Sequence, residues 1–234
     1  WVGAGLVPVQ ALARARTPVL WTLHDMWPFT GGCHYDEGCG RYAGRCGACP
    51  QLGASIEQDL SRKVWLRKHR SWAGVPLTIV SPSRWLAKEA RRSSLFAKAR
   101  IEVIPNGLDL GVFRPREKRR ARAALGLPQD RRLVLFGAMG ATEDPRKGYG
   151  VLLDALNRIA ATAPRTEIQL VQFGSEVPMA AAGPGIPAHH MGKLGDDARL
   201  AQLYAAADVM VVPSLQENLA NTIGHQLTEI FAED

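Results

Sequence analysis

Short apolar stretches alternate with longer amphipathic stretches along the chain. The apolar stretches have the length of strands and lie at residues 19–23, 77–80, 101–104, 133–136, 168–173 and 209–212. The helix-like stretches lie at about residues 56–72, 83–92, 150–163 and 198–207, and a further one rich in Arg and Ala ends before Gly126 and Pro128. Short buried strands separated by helices of about ten or more residues are typical of βαβ units. The pattern therefore predicts an α/β protein with parallel sheets.

The chain contains two successive series of alternating strands and helices, with a break between residues 110 and 118. We place a domain boundary there, between residues 113 and 114. This predicts two Rossmann-like domains, an N-terminal one over residues 1–113 and a C-terminal one over residues 114–234.

Two local signals refine the N-terminal domain. Ser83 precedes a helical stretch and is a residue type that caps helices. The Asn106-Gly107 pair predicts a turn with a positive φ angle, since Asn and Gly tolerate that conformation best.

The composition is that of an ordinary globular protein, with 46% hydrophobic and 22% charged residues. No apolar run approaches the roughly 18 residues that a membrane span needs. Because the chain begins with Trp1 and no charged segment precedes an apolar core, we expect neither a signal peptide nor a natural start.

The chain is basic, with a net charge of +7 and a pI near 9.5. The excess lies in helix-like stretches at residues 62–70, 88–92 and 116–122. These stretches are interpreted as solvated helix faces or as contacts for anionic lipid or a phosphate-bearing acceptor. They lack the interleaved aromatic residues and the motifs of nucleic-acid-binding proteins, so we expect no nucleic acid partner.

Polar residues follow several of the predicted strands. Ligands of open parallel sheets bind beyond the carboxyl ends of the strands. His24 ends the first strand, although a lone His at such a place is more often structural than catalytic. The Gly-rich loop at residues 137–148 carries Arg146 and Lys147, whose charges suit phosphate. This loop is not a Walker A motif, because Gly148 stands where that motif has Ser or Thr.

The last strand leads into a second polar segment. Glu217 can accept hydrogen bonds from sugar hydroxyls, or it is an ordinary capping or solvent-facing acid. Asn221 and Thr222 are placed to cap the next helix, which would leave backbone amides free for an anion.

Taken in order, these segments resemble the retaining glycosyltransferases of family 4. The resemblance is carried by five blocks, and the first is similar to a bacterial polysaccharide subgroup of the colanic-acid type. The blocks lie at residues 21–33, 79–86, 103–115, 146–153 and 203–217. The resemblance implies the GT-B fold, with two Rossmann-like domains that bind the acceptor in the N-terminal half and a nucleotide-diphosphate sugar in the C-terminal half.

The resemblance also implies residue roles. Lys147 and Arg146 would neutralise the leaving diphosphate, Glu217 would bind donor hydroxyls, and His24 would lie near the donor sugar. Fixed cations at the leaving group lower the barrier of an oxocarbenium-like transition state. The further donor-site residues implied are Gly137, Gly174, Asn221 and Thr222. The reaction would be a same-face displacement that needs no cofactor.

The remaining implications concern the acceptor and the place of action. We expect a polysaccharide or lipid-linked acceptor and a cytoplasmic enzyme that associates peripherally with the inner membrane face.

All cysteines lie in one loop. Cys33, Cys39, Cys46 and Cys49 have the spacing C-x5-C-x6-C-x2-C. This set is compatible with structural zinc, with free or redox-sensitive thiols, or with disulfides, which a reducing cytosol disfavours. We interpret the loop as part of the acceptor cleft, with zinc as its expected metal.

The chain departs from the family pattern at its ends. A second Glu is expected eight positions after Glu217, where this chain has His225. The segment after Ile223 does not resemble the family, and the chain lacks the Gly-rich loop with which family members begin. We therefore expect both domains to be incomplete and activity to be weak or absent in this chain. The competing interpretations are a nucleotide- or glycan-binding module without turnover and a basic, zinc-containing interaction protein.

Overall fold

A computed structural model describes residues 7–15, 17–137, 140, 144–162, 167–176 and 186–219. The chain divides between Asn106 and Gly107 into two compact units. Each unit contains a parallel sheet with helices, which confirms the predicted α/β class.

The first unit contains a three-stranded parallel sheet in the order β1-β2-β3. Its elements are β1 (Val19–Thr22), α1 (Leu60–Trp72), β2 (Leu77–Ser81), α2 (Arg84–Arg92) and β3 (Arg100–Val103). Aromatic and aliphatic side chains from the sheet, the helices and the loop after β1 form its core.

Both helices of the first unit begin at capping side chains. The Asp59 carboxylate accepts a hydrogen bond from the Arg62 amide at 3.0 Å, and the Ser83 hydroxyl accepts one from the Leu86 amide at 3.1 Å. The Ser83 cap is confirmed. The prediction that α1 begins near residue 56 is wrong by four residues, because the helix starts only after the Asp59 cap.

The second unit contains a four-stranded parallel sheet in the order β6-β5-β4-β7. Its elements are α3 (Lys118–Leu125), β4 (Arg132–Gly137), α4 (Tyr149–Thr162), β5 (Ile168–Phe173), β6 (Ala188–His190), α5 (Asp197–Ala206) and β7 (Val209–Met210). β6 was not predicted, and β7 is two residues shorter than predicted. Two clusters of buried side chains pack in this unit.

The segment between the units differs from the sequence prediction. Leu108, Val112 and Phe113 pack with the second core, so the structure divides the chain seven residues before the predicted boundary. Neither Asn106 nor Gly107 has a positive φ angle. The predicted turn is wrong because this pair lies in an irregular connector and does not join two paired strands. Within the described residues, no helix combines the length and apolarity needed to cross a bilayer.

Candidate active site

Two strand-end loops meet in the second unit. β4 and β7 pair in parallel, so their carboxyl ends lie side by side. The Leu215 amide donates to the Arg146 carbonyl oxygen at 2.8 Å. Gly148 has a φ of 72°, and a Cβ at this position would lie 2.0 Å from the Pro213 carbonyl oxygen. The loops therefore pack so closely that only glycine fits.

This packing brings together Arg146 and Lys147, which the sequence predicted in one loop, and Glu217, which it predicted in another. Lys147 Nζ lies 2.6 Å from Glu217 Oε2, and Arg146 Nη1 lies 3.2 Å from the same oxygen. Arg146 also donates to the Gln216 carbonyl oxygen at 2.8 Å and pairs with Asp144 at 2.9 Å. The side chains of Arg146 and Lys147 are each 19% exposed and that of Glu217 is 16% exposed. Chemically, the cluster presents two fixed cations and one carboxylate at a strand end, which suits an anion bearing hydroxyl groups.

The two glycines predicted for the donor site have local structural explanations. Gly137 pairs with Phe173 across the sheet, and a Cβ there would lie 2.2 Å from the Phe173 ring. Gly174 has a φ of 92°, and its amide donates to the Gly192 carbonyl oxygen at 2.9 Å. Both positions therefore require glycine for packing or backbone conformation. Asn221 and Thr222, like His225, lie outside the described residues.

His24 lies in the first unit, directly after β1. The preceding Leu23 amide donates to the Val80 carbonyl oxygen at 2.8 Å, which extends the sheet contact up to His24. The His24 side chain is exposed. The next residue, Asp25, accepts hydrogen bonds from the Trp27 amide at 2.8 Å and from His34 Nδ1 at 2.7 Å. Asp25 therefore orders the loop that follows His24.

Lys68 is a residue whose role the sequence analysis missed. The stretch that contains Lys68 was interpreted as a solvated helix face or as a contact for anionic groups. Both interpretations are wrong for Lys68, because its side chain is fully buried. Nζ donates to the carbonyl oxygens of Trp27 and, at 3.1 Å, Thr30, and it lies 3.6 Å from the centre of the Trp27 ring. A signal was present, since Trp65, Lys68 and Trp72 share one helix face.

Burial disfavours the charged form of Lys68 and lowers its pKa to about 7. The thiols of Cys33 and Cys46 and the Asp25 carboxylate act in the opposite direction. Lys68 therefore links α1, the loop after His24 and the cysteine loop.

The cysteine loop forms part of a cavity wall in the first unit. The cavity has a volume of about 440 Å³, and all four cysteines line it. All four are free thiols. Burial is the main cause of the raised pKa values of Cys33 and Cys46. The pKa of Cys46 is raised to about 11. Over the described part of the chain, no three His, Cys, Asp or Glu side chains are already arranged as metal ligands.

Solved structures with the same arrangement of elements are glycosyltransferases. Sucrose-phosphate synthase from Thermosynechococcus elongatus matches with a TM-score of 0.64 at 22% identity, over 94% of this chain and 50% of that protein. HepE from Anabaena, solved in complex with UDP, matches with a TM-score of 0.59 at 16% identity, over 95% of this chain and 56% of that protein. The predicted GT-B fold is thereby confirmed.

Curated relatives match part of the chain. D-inositol 3-phosphate glycosyltransferase of Mycobacterium tuberculosis (strain F11) is 37% identical over 131 residues, which is 51% of this chain and 25% of the relative. The enzyme of that name from Segniliparus rotundus is 34% identical over 127 residues, with 51% of this chain and 28% of the relative covered. The chain thus matches between a quarter and a third of the length of these relatives.

Family models match both units. Residues 1–112 match the model described as Glycosyltransferase Family 4, and residues 130–231 match the model described as Glycosyl transferases group 1. Two glycosyltransferase family models therefore match this chain in sequence order, and the chain shares the GT-B fold of the solved structures.

Proposed function

We propose that the protein transfers a sugar from a nucleotide-diphosphate donor to a glycan acceptor, with retention of anomeric configuration. The observation that carries this proposal is the cluster of Arg146, Lys147 and Glu217. Two cations and a carboxylate from loops about 70 residues apart converge within hydrogen-bonding distance at neighbouring strand ends. Such strand ends are where open parallel sheets bind ligands.

In the proposed mechanism, the cations act on the leaving group. Negative charge grows on the diphosphate as the glycosidic bond breaks, so Lys147 and Arg146 stabilise the transition state more than the ground state. Glu217 holds both side chains in place before any donor arrives, and Asp144 and the Gln216 carbonyl oxygen also hold Arg146. This preorganisation avoids reorganising charged side chains during the reaction.

Glu217 has two tasks in this proposal. In the structure its carboxylate compensates Lys147 and Arg146. When a diphosphate takes over these cations, the carboxylate becomes available to accept hydrogen bonds from hydroxyl groups of the donor sugar. His24 would contact the donor sugar, and the attacking acceptor hydroxyl would lose its proton to the donor phosphate on the same face. The remaining predicted donor residues, Gly137, Gly174, Asn221 and Thr222, would shape the nucleotide pocket.

The acceptor in this proposal is a polysaccharide or a lipid-linked glycan, as in the colanic-acid type of polysaccharide assembly. Three exposed basic side chains recur on one face of α1, namely Lys63, Arg67 and Arg70. Such a face attracts anionic lipid or phosphate groups. The protein would then work in the cytoplasm, at the inner face of the membrane.

The donor site is tested by calorimetric titration of UDP, GDP and ADP into the chain and into a Lys147→Ala variant. UDP is the first choice because HepE was solved with it. We expect saturable binding of one nucleotide, weakened at least tenfold in Lys147→Ala, since a charge-assisted hydrogen bond contributes roughly 1.5–3 kcal/mol.

The matched control is Lys193→Ala. Lys193 also lies in the second unit and also pairs with a glutamate, Glu176, but its side chain is 62% exposed. The Lys193→Ala variant should bind nucleotide as the unchanged chain does. Equal loss in both variants would contradict a role specific to Lys147. Nucleotide binding without turnover of a nucleotide-sugar donor would instead indicate a binding module.

A further inference from the structure

The cysteine loop has features that the glycosyl-transfer proposal does not use. Its four cysteines lie between residues 33 and 49 of a loop without strands or α-helices, and all four line one cavity. Four thiols around one space are the ligand set of a structural zinc site.

A backbone amide already donates to one of these sulfurs. The Gly31 amide lies 3.2 Å from Cys46 Sγ. A Cβ on Gly31 would lie 2.6 Å from the Ser61 carbonyl oxygen and 2.9 Å from Cys46 Cβ, so the close approach depends on glycine. Amide donors of this kind stabilise a metal-bound thiolate and orient it.

The segment that carries the C-x2-C pair is fixed by the surrounding protein. Cys46, Gly47 and Ala48 have φ angles of 49°, 113° and 43°. Such angles are unfavourable for Cys and Ala and persist only where neighbours hold the backbone.

The holding contacts come from the start of α1. The Gly47 amide donates to Ser61 Oγ at 2.9 Å, and the Cys49 amide donates to Asp59 Oδ2 at 2.8 Å. The loop backbone is therefore set independently of any bond between the cysteines.

The charges around the cavity suit a negatively charged centre. One Zn²⁺ ion with four thiolates has a net charge of −2, which is costly to place in a partly buried site unless cations lie nearby. Arg41 and Arg67 line the same cavity. These two cations would offset the charge of the centre.

The sulfur atoms line the cavity wall and, among the described residues, do not yet form a set of three metal ligands. A single torsion, χ1, sets the position of each sulfur, and it has three staggered values. The sulfurs can therefore change position while the backbone stays where Ser61 and Asp59 hold it.

We propose that Cys33, Cys39, Cys46 and Cys49 bind one Zn²⁺ ion as a structural tetrathiolate site. In forming the site, the four thiols release their protons and the metal cross-links residues 33–49 of the loop. This proposal does not depend on the proposed glycosyl transfer.

The test is metal analysis of the whole chain, purified under reducing conditions without chelator. We expect about one zinc per chain, as a closed structural site holds one ion. Cobalt exchanged for zinc should show the visible bands of a tetrahedral site and the near-ultraviolet charge-transfer bands of cobalt–thiolate bonds. Cys33→Ser and Cys46→Ser should each lose most of the metal.

His34→Gln is the matched control, because His34 adjoins Cys33 but pairs with Asp25. It should keep about one zinc. A thiol titration of the unchanged, folded chain tests the proposal even if the Cys→Ser variants fail to fold. Four thiols that react only after zinc is removed support the proposal. Less than about half an equivalent of zinc with all four thiols reactive, or disulfides in the unreduced chain, would overturn it.

Discussion

At the scale of single residues, burial distinguishes two of the basic side chains from the rest. Lys68 and Arg122 are 0% and 4% exposed, although both lie in basic stretches that the sequence analysis interpreted as solvated faces or as contacts for anionic groups. The two differ in how their charge is compensated. Arg122 forms an ion pair with Asp208 at 2.7 Å, whereas Lys68 contacts carbonyl oxygens and an aromatic ring. Lys68 is consequently the group whose protonation should respond to pH near neutrality.

Stability should therefore depend on pH through Lys68. Its pKa is about 7 in the folded chain and 10.5 in the reference state. Between these values the unfolded chain binds a proton that the folded chain has released, so the free energy of unfolding rises with pH. In urea titrations from about pH 7 to 8.5, with reductant and chelator present, we expect this rise in the unchanged chain. In Lys68→Met, the free energy of unfolding should rise less steeply, by up to about 1.4 kcal/mol per pH unit.

Lys63→Met is the control for this prediction, because Lys63 is exposed on the same helix. Its curve should have the slope of the unchanged chain. Parallel curves for Lys68→Met and the unchanged chain would mean that the buried amine stays protonated throughout the range.

At the scale of elements, one carboxylate joins α3, β4 and the end of α5. Asp208 accepts hydrogen bonds from the Leu133 amide at 2.7 Å, from Lys118 at 2.9 Å and from Arg122 at 2.7 Å. Arg122 also donates to the Ala206 carbonyl oxygen at 2.9 Å. Asp208 belongs to a sequence block that resembles the family's donor site, yet its contacts are structural.

Replacing this carboxylate should destabilise the second unit. Burial acts to raise the pKa of Asp208, but the hydrogen bonds from Leu133, Lys118 and Arg122 outweigh it and lower the pKa. Asp208→Asn leaves the buried Arg122 without a charged partner, and we expect a loss of roughly 3 kcal/mol in urea unfolding at pH 7.

The control for this variant is the exposed Asp130→Asn, which should change stability by less than about 0.5 kcal/mol. In the unchanged chain, the contribution of Asp208 should be present above the unfolded pKa of an aspartate and disappear as the pH falls through the lower folded value. A loss in Asp208→Asn that is independent of pH would contradict this account.

The sequence predicted those elements whose pattern is local. The apolar strands β1 to β5 and the helices were found, because their side chains carry the period of the element. β6 was missed, since Ala188, His189 and His190 have no apolar alternation, and the strand exists through its pairing with β5. The charged residues of the candidate site were found at strand ends. Their meeting at Glu217 depends on the pairing of β4 with β7, which no local pattern encodes.

At the scale of the whole molecule, the two units have separate cores. The buried cluster of the first unit and the two clusters of the second share no residue among those described. The sequence supplies a selective probe, because all six tryptophans lie in the first unit. Tryptophan fluorescence therefore reports the unfolding of the first unit, whereas far-ultraviolet circular dichroism reports both.

These probes should separate the two units in the variants described above. We expect Asp208→Asn to lower the urea midpoint seen by circular dichroism while the tryptophan midpoint stays unchanged, because the lost contacts lie in the second core. Lys68→Met should shift the tryptophan midpoint, since Lys68 is buried within the first unit. Equal shifts of both midpoints in Asp208→Asn would show that the units unfold as one cooperative body. Ligand-induced stabilisation could then not be assigned to one unit, and nucleotide binding would have to be mapped by amide exchange at residues 144–148 and 213–217.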